Sequence, residues 1–467
     1  MSEPRHDDAK PQLVQELGAW DAALLTIGSI LGTGIFITTG DIARVVPHAG
    51  LILALWVLGG VLTLAGALTY AELGALFPRA GGQYQFLKEA YGPLSGFLFG
   101  WAAFFVIMSG GIATLAVGFG EYLGAFIPFF STSHRLLAVP LGAWSFSMNG
   151  GQLAGALAIA FLTGVNYVGL REGAGLQNLV TIVKVGSLVG LAAFGLFVPA
   201  TAANALAGPL PSGNLAAALG VGMIAVLWSF DGWYAVTNVA GEMRRPERNL
   251  PLGLIGGTLA VTLLYALMNL VYVRALSVDE MARTARIGEA AAQALFGPMG
   301  ARLITAAVLV STFGCISSTI LYAARIYLPM AQDGVFFPAL ARIHPRYRTP
   351  SASILAQGAW ATLLTFSGSY EQLYTYVIFA VVLFHAATGA AVIVLRRTLP
   401  DAPRPYRVWG YPWVPLLFVV SSVALVVNTL VEKPRESAFG LGLLLLGIPA
   451  YLWWRRRSGA EERDRLA

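Results

Sequence analysis

Charged side chains are scarce in this sequence. Asp, Glu, Lys and Arg make up 12% of its 467 residues, against roughly 25% in a soluble globular domain. A chain so poor in charge and 57% hydrophobic reads as a polytopic membrane protein. Cysteine is scarcer still. The one present, Cys315, lies in an apolar stretch, which excludes an intramolecular disulfide. The five histidines lack the spacing of a metal site. No nucleophile, metal cluster or carboxylate pair speaks for a membrane enzyme, so no catalytic residue and no cofactor is expected. Polar residues within the apolar segments are isolated, which speaks against a channel lined by a continuous polar pore. No linker is long enough to separate two domains. The net charge of +6 resides mostly in short loops, where it sets membrane orientation and is no sign of nucleic-acid binding. Residues 1–10 are polar and lack the apolar core of a cleavable signal, so the first apolar segment is expected to remain in the mature protein.

At about 20 residues per crossing, twelve apolar stretches are long enough to span: 22–46, 50–76, 94–127, 152–170, 174–199, 215–241, 250–275, 299–328, 351–368, 371–395, 412–431 and 437–454. An even number puts both termini on one side. Arg5, Lys10, Arg79, Lys88, Arg171, Arg244, Arg245, Arg248, Arg342, Arg396, Arg397 and Arg455 fall on that side. Basic residues are thinner on the other, where the 277–298 loop carries Arg283 and Arg286 together with Asp279, Glu280 and Glu289. The positive-inside rule therefore makes both termini cytoplasmic. Residues 82–91 and 329–347 read as short amphipathic stretches on that face.

Two of the segments are interrupted. The first contains Ile27-Gly28-Ser29-Ile30-Leu31-Gly32-Thr33-Gly34-Ile35-Phe36, whose glycines weaken a helix where lipid demands continuity. Small residues at this spacing also suit a tight helix–helix seam. The sixth reads Trp228-Ser229-Phe230-Asp231-Gly232-Trp233, with an acidic residue beside a glycine near mid-membrane. Interruptions at corresponding places in two five-helix halves point to an inverted-repeat transporter. The spacing predicts a first repeat over 21–200, a second, inverted one over 201–397, helices 11 and 12 over 398–455, and tails at 1–20 and 456–467.

Several motifs in order resemble the amino acid–polyamine–organocation transporters, and within them the L-amino acid transporter group. They are Gly32-Thr33-Gly34-Ile35-Phe36, Tyr70-Ala71-Glu72-Leu73-Gly74, Pro78-Arg79-Ala80-Gly81-Gly82-Gln83-Tyr84, Phe230-Asp231-Gly232-Trp233, Glu242-Met243 with Pro246 and Arg248, Phe313-Gly314, Arg325, and Ile343-His344 with Thr349-Pro350. The resemblance extends from Gly28 to about Trp413. It implies an all-α fold of ten helices in two inverted repeats plus two, and an amino acid bound between broken helices 1 and 6 in a cell (inner) membrane. The substrate carboxylate would meet the amides of Thr33, Gly34 and Ile35 near Gly32, helped by the Ser29 or Thr33 hydroxyl. The ammonium would meet carbonyls at Trp228, Ser229, Phe230 and Asp231 beside Gly232, and at Ile27 and Gly28. Relatives with a disulfide-linked heavy chain carry a cysteine between helices 3 and 4. Residues 127–151 have none, so no such partner is expected.

The remaining site candidates carry two readings each. Asp231, an ionisable residue at membrane depth, either contacts the ammonium or holds a proton, or else caps the broken helix. Those relatives often have glycine there. Lys184 either snorkels to the interface or, as the resemblance implies, places its ammonium where sodium sits in sodium-coupled relatives, near Gly28, Ser29 and Ser317 or Ser318. Trp228 is a packing residue or an outer gate. Glu72, Arg79, Glu242, Arg248 and Arg325 gather where an inner gate would close. His385 and Cys315 read as core residues. Together these readings describe a sodium-independent exchanger of neutral L-amino acids. Proton-coupled uptake of amino acids, cationic ones included, is the alternative.

Overall fold

The computed structural model describes residues 17–141, 144–168, 173–202, 204, 206, 210, 211 and 213–466. Arg5, Lys10, Arg171 and most of the 1–20 tail lie outside them. The described chain is almost entirely helical. Eight of its helices are long and apolar enough to cross a membrane, or nine with one bent pair counted as a span, so this is a polytopic membrane protein.

The bent pair is α1 (Ala19–Ile30) and α2 (Gly34–Val45), which meet at 42°. Then come α3 (Ala49–Leu76) and the short surface helix α4 (Gln83–Tyr91), at the place where residues 82–91 predict an amphipathic stretch. The third apolar stretch is α5 (Pro93–Ala102) and α6 (Met108–Leu123), joined through a π-helical turn at Ala103–Ile107. Such turns insert a residue into a helix and often mark working sites. Among the described residues, the loop that follows holds the one sheet. It folds into an antiparallel hairpin, β1 (Arg135–Leu141) and β2 (Trp144–Asn149).

Next are α7 (Gly150–Val168), α8 (Gly173–Phe197) and α9 (Leu215–Phe230), then a single turn, α10 (Ala235–Asn238). α11 (Pro246–Ala275) packs along α1 and α3. The 277–298 segment is not a plain loop. It holds α12 (Val278–Arg283), and α13 (Ile287–Gln332) already starts within it, passing a kink at Gly297, φ 69°. α13 also runs to Gln332 before a 3-10 turn at Pro338–Ala341, which corrects the amphipathic stretch expected at 329–347. Apolar periodicity alone does not reveal that a helix continues past its membrane portion. α14 (Ser351–Thr365), α15 (Tyr370–Thr398), α16 (Trp413–Glu432), α17 (Pro434–Leu445) and α18 (Gly447–Leu466) complete the chain. Helix α18 covers most of the expected 456–467 tail.

The two interruptions lie against each other in the middle of the core. A Cβ on Gly34, at the start of α2, would stand 2.6 Å from Ser229 Cα at the end of α9. Gly232 has φ 94°, and a Cβ there would stand 2.7 Å from the Ser29 carbonyl oxygen. Both positions therefore need glycine, one for close approach and one also for a left-handed turn.

Candidate functional site

The first break supplies donors. α1 ends with the Leu31 amide bonded to the Ile27 carbonyl, and the Gly32 amide turns back to the Ile30 carbonyl at 2.8 Å. Helix α2 then restarts, with Phe36 bonding back to Thr33. The amides of Thr33, Gly34 and Ile35 have no backbone acceptor among the described residues, and no side chain caps this end. Such an end offers free N–H groups and a positive dipole end to an anion.

The second break supplies acceptors. α9 ends as the Asp231 amide bonds to the Trp228 carbonyl at 3.1 Å. The Ser229 carbonyl accepts from the Tyr265 hydroxyl at 3.0 Å. The Phe230 carbonyl accepts no bond among the described residues. Asp231 stands at the C-terminal end of α9, beside the Gly232 amide and the Tyr234 hydroxyl. It does not cap a helix N-terminus in the sense expected. Its Oδ1 is buried without a hydrogen-bond partner.

A cavity of about 30 Å³ runs between the breaks. From the expected set it is lined by Ser29, Gly32, Gly34, Trp228 and Ser229, with Asp231 and Gly232 at its floor. The Ser29 hydroxyl is buried and unpartnered, whereas that of Thr33 is bonded to Tyr370. Of the two hydroxyls expected to help a carboxylate, Ser29 is therefore the free one. Two expectations need correction. The Ile27 carbonyl is spent on Leu31, and that of Gly28 on Lys184, so neither is poised for an ammonium. Ile30 lines the cavity, but its carbonyl already accepts from the Gly32 amide and the Tyr265 hydroxyl.

Sequence reading named no substrate-site residue on the other wall. Met108, Gly111 and Leu115 of α6, with Cys315, Thr319 and Tyr322 of α13, complete the lining. Cys315, read as a core residue, points its thiol at the Ser29 carbonyl, 3.4 Å away. The available signal was spacing. Both trios recur at three to four residues and so occupy single helix faces. A volume of about 30 Å³ holds roughly two waters, so an amino acid requires these walls to part.

Lys184 is turned inward. Its neighbours Ile182 and Val183 are 56% and 43% exposed, while Lys184 is 2% exposed. Its ammonium donates to the carbonyls of Gly28 at 3.0 Å and Leu31 at 3.3 Å. This excludes snorkelling. The cation sits on the negative, C-terminal end of α1, where a metal cation would also be favoured. Ser317 is engaged elsewhere, accepting from Asn166 at 3.0 Å, and Ser318 donates to the Gly314 carbonyl.

Side-chain contacts join the helices on either side of the cavity. On the α2 side the Trp228 indole donates to the Tyr370 hydroxyl at 2.8 Å. Tyr370 shares a 2.9 Å bond with Thr33, and Trp228 stacks on Tyr374. Thr38 and Ser229 join α2 to α9 at 2.7 Å. On the other side Arg325 of α13 grips the Glu242 carboxylate with two donors. The chain at Leu17 pairs with the Glu242 carbonyl and the Arg244 amide. The expected charge cluster divides here. Glu72 pairs instead with Arg396, at 2.8 and 2.7 Å, and accepts from the Val408 amide, while Arg79 and Arg248 are exposed. Tyr84 of α4 bonds to Asp333 at 2.5 Å. Burial, reinforced by that carboxylate, pushes its hydroxyl well above the ordinary tyrosine range.

Comparison with known proteins finds amino acid transporters along nearly the whole chain. Residues 17–443 match the family described as amino acid permease. The serine/threonine exchanger SteT of Bacillus subtilis is 31% identical, over 96% of this chain and 98% of its own length. The human b(0,+)-type amino acid transporter 1 is 31% identical over 94% of this chain and 88% of its own. The mouse large neutral amino acids transporter small subunit 2 is 28% identical over 95% and 82%.

Proposed function

This chain belongs to the amino acid permease family, a family of transporters and not of enzymes, and we propose that it is a sodium-independent exchanger of neutral L-amino acids working by alternating access. One observation carries this reading. The free amides of Thr33, Gly34 and Ile35 and the free Phe230 carbonyl come from two broken helices packed against each other, and of these residues Gly34 lines the cavity between them. The amides suit a carboxylate and the carbonyl an ammonium, so the pair fits the zwitterion common to all amino acids. Lys184 supports sodium independence, because its ammonium already occupies the carbonyl-lined place a cation would take. The name of the Bacillus subtilis relative supports exchange.

The proposal extends to topology. Each of the twelve apolar stretches carries helix, which supports twelve crossings, with repeats over 21–200 and 201–397, helices over 398–455, and tails at 1–20 and 456–467. Both termini are then cytoplasmic in the cell membrane, Glu242–Arg325 becomes the inner gate, and Trp228–Tyr370 becomes the outer one. No disulfide-linked partner is required, since the one cysteine, Cys315, is buried inside a helix.

A second reading, proton-coupled uptake of cationic amino acids, is favoured by the unpartnered Oδ1 of Asp231. A lone buried carboxylate is costly, and a cationic side chain would neutralise it. Asp231→Asn, assayed with alanine and with arginine in proteoliposomes, decides between the two. We expect alanine transport to fall without a switch in preference. Wild-type arginine uptake well above that of every neutral amino acid, abolished by Asp231→Asn, would establish the second reading instead.

A further inference from the structure

Asp231 borders two cavities. One lies between the breaks. The other lies behind it, where α3, α15 and α16 meet the end of α9, and has a volume of about 30 Å³. Its wall is mostly apolar, but Asp231, His385, Thr63, Ser421 and Ser422 converge on it. A pocket of this size and polarity holds roughly two waters. His385 of α15 is buried, and its Nδ1 lies 2.7 Å from the Tyr70 hydroxyl. That hydroxyl also has Thr388 to donate to, so it can accept the Nδ1–H of the imidazole. In this tautomer the basic nitrogen is Nε2. The rings of Tyr70, Trp233, Tyr234 and Phe418 stand around the imidazole, with centroids 5.6, 5.2, 5.1 and 5.8 Å away. Such an enclosure favours a cation.

We propose that water in this second cavity joins Asp231 to His385, and that the two side chains share one proton. This rests on the reading that the substrate ammonium is received at the breaks. Without substrate the proton sits on Asp231, because a lone buried carboxylate is costly, and His385 is neutral. When an ammonium arrives, the carboxyl O–H bond breaks, the proton passes through water, and an N–H bond forms at Nε2. Carboxylate and imidazolium replace acid and imidazole. The charge of the pair is unchanged, and no proton enters or leaves the protein. When substrate departs, the proton returns. His385 is thus a positioning residue, acting on the substrate through Asp231. The other titratable groups facing the pair are Tyr70, Tyr234 and, across the first cavity, Cys315 and Tyr322 of α13. α16 contributes none to the second cavity, and the Lys184 ammonium is spent on the Gly28 and Leu31 carbonyls.

The test is His385→Gln, whose amide can hold a water but cannot take up a proton. Alanine affinity of the purified wild-type protein should stay within about twofold from about pH 8 to pH 5, and binding should release no protons into a weakly buffered solution. In the variant the displaced proton goes to solvent. Affinity should then fall as pH falls, by up to about tenfold per pH unit, with release of up to about one proton per alanine. Ser422→Leu fills the cavity and leaves both titrating groups in place. It should behave alike, and it carries the test should His385→Gln fail to fold. A merely structural histidine would lower affinity equally at every pH. That result, or proton release from the wild type, would overturn the proposal. N-acetylalanine separates this inference from the reading beneath it. If it competes as well as alanine, the ammonium site is misplaced and the relay falls with it. If it does not compete and both variants keep the wild-type pH profile, the relay alone is refuted.

Discussion

Lys184→Ala is expected to abolish most transport while the protein still folds. The substitution removes the donor to the Gly28 carbonyl and one donor to the Leu31 carbonyl. An unsatisfied buried polar group costs about 1–3 kcal/mol. Leu31 retains the Ser311 hydroxyl at 3.1 Å, and removing the ammonium also relieves the expense of burying a charge. Global stability therefore changes little, while the end of α1 loses the group that fixes it. Lys184→Met keeps the apolar stem without the charge and should behave alike. Size-exclusion behaviour and helicity of the purified variants, beside uptake in proteoliposomes, provide the check. Uptake by Lys184→Met at the wild-type rate would show that the ammonium does no more than fill space.

Gly34→Val should be as damaging, for a different reason. A Cβ at position 34 would meet Ser229 Cα and Oγ at 2.6 Å, and backbone cannot move aside as a flexible side chain can. Overpacking of this kind costs about 1–3 kcal/mol, which corresponds to roughly a five- to 150-fold loss in transport. The loss should appear in binding, because the same valine crowds the amides that would receive the carboxylate. Gly34→Ala should be milder, with the same sign. Amino acid amides, which lack the carboxylate, should fail to compete for wild-type uptake. Competition by alaninamide equal to that of alanine would remove the helix-end site from the account.

The interruptions were legible because each breaks a local rule. Three glycines in seven residues and an Asp-Gly pair have no place in a plain lipid-spanning helix. Lys184 stood out for the same reason, although the sequence could not say which way it turned. Its neighbours Ile182 and Val183 face outward, so the helical phase brings Lys184 inward, against α1. What stayed hidden depends on which faces meet. Tyr370 and Tyr374 drew no notice in the sequence, and only the packing of α15 against α9 makes them partners of Trp228. Met108 and Thr319 carry no signal until α6 and α13 wall the same cavity. Of the two expectations for Gly28, the contact with Lys184 is met, and the carbonyl offered to an ammonium is the one that the lysine takes. The hairpin at Arg135–Asn149 was missed because that loop was read only for its lack of cysteine.

The central claim is exchange without sodium, and one experiment addresses it directly. Purified protein is reconstituted into liposomes loaded with unlabelled alanine or with buffer alone, and uptake of labelled alanine is followed in sodium and in choline medium. Internal alanine should accelerate uptake severalfold, to the same extent in both media. Uptake that is indifferent to internal alanine, or that collapses when choline replaces sodium, would contradict the account.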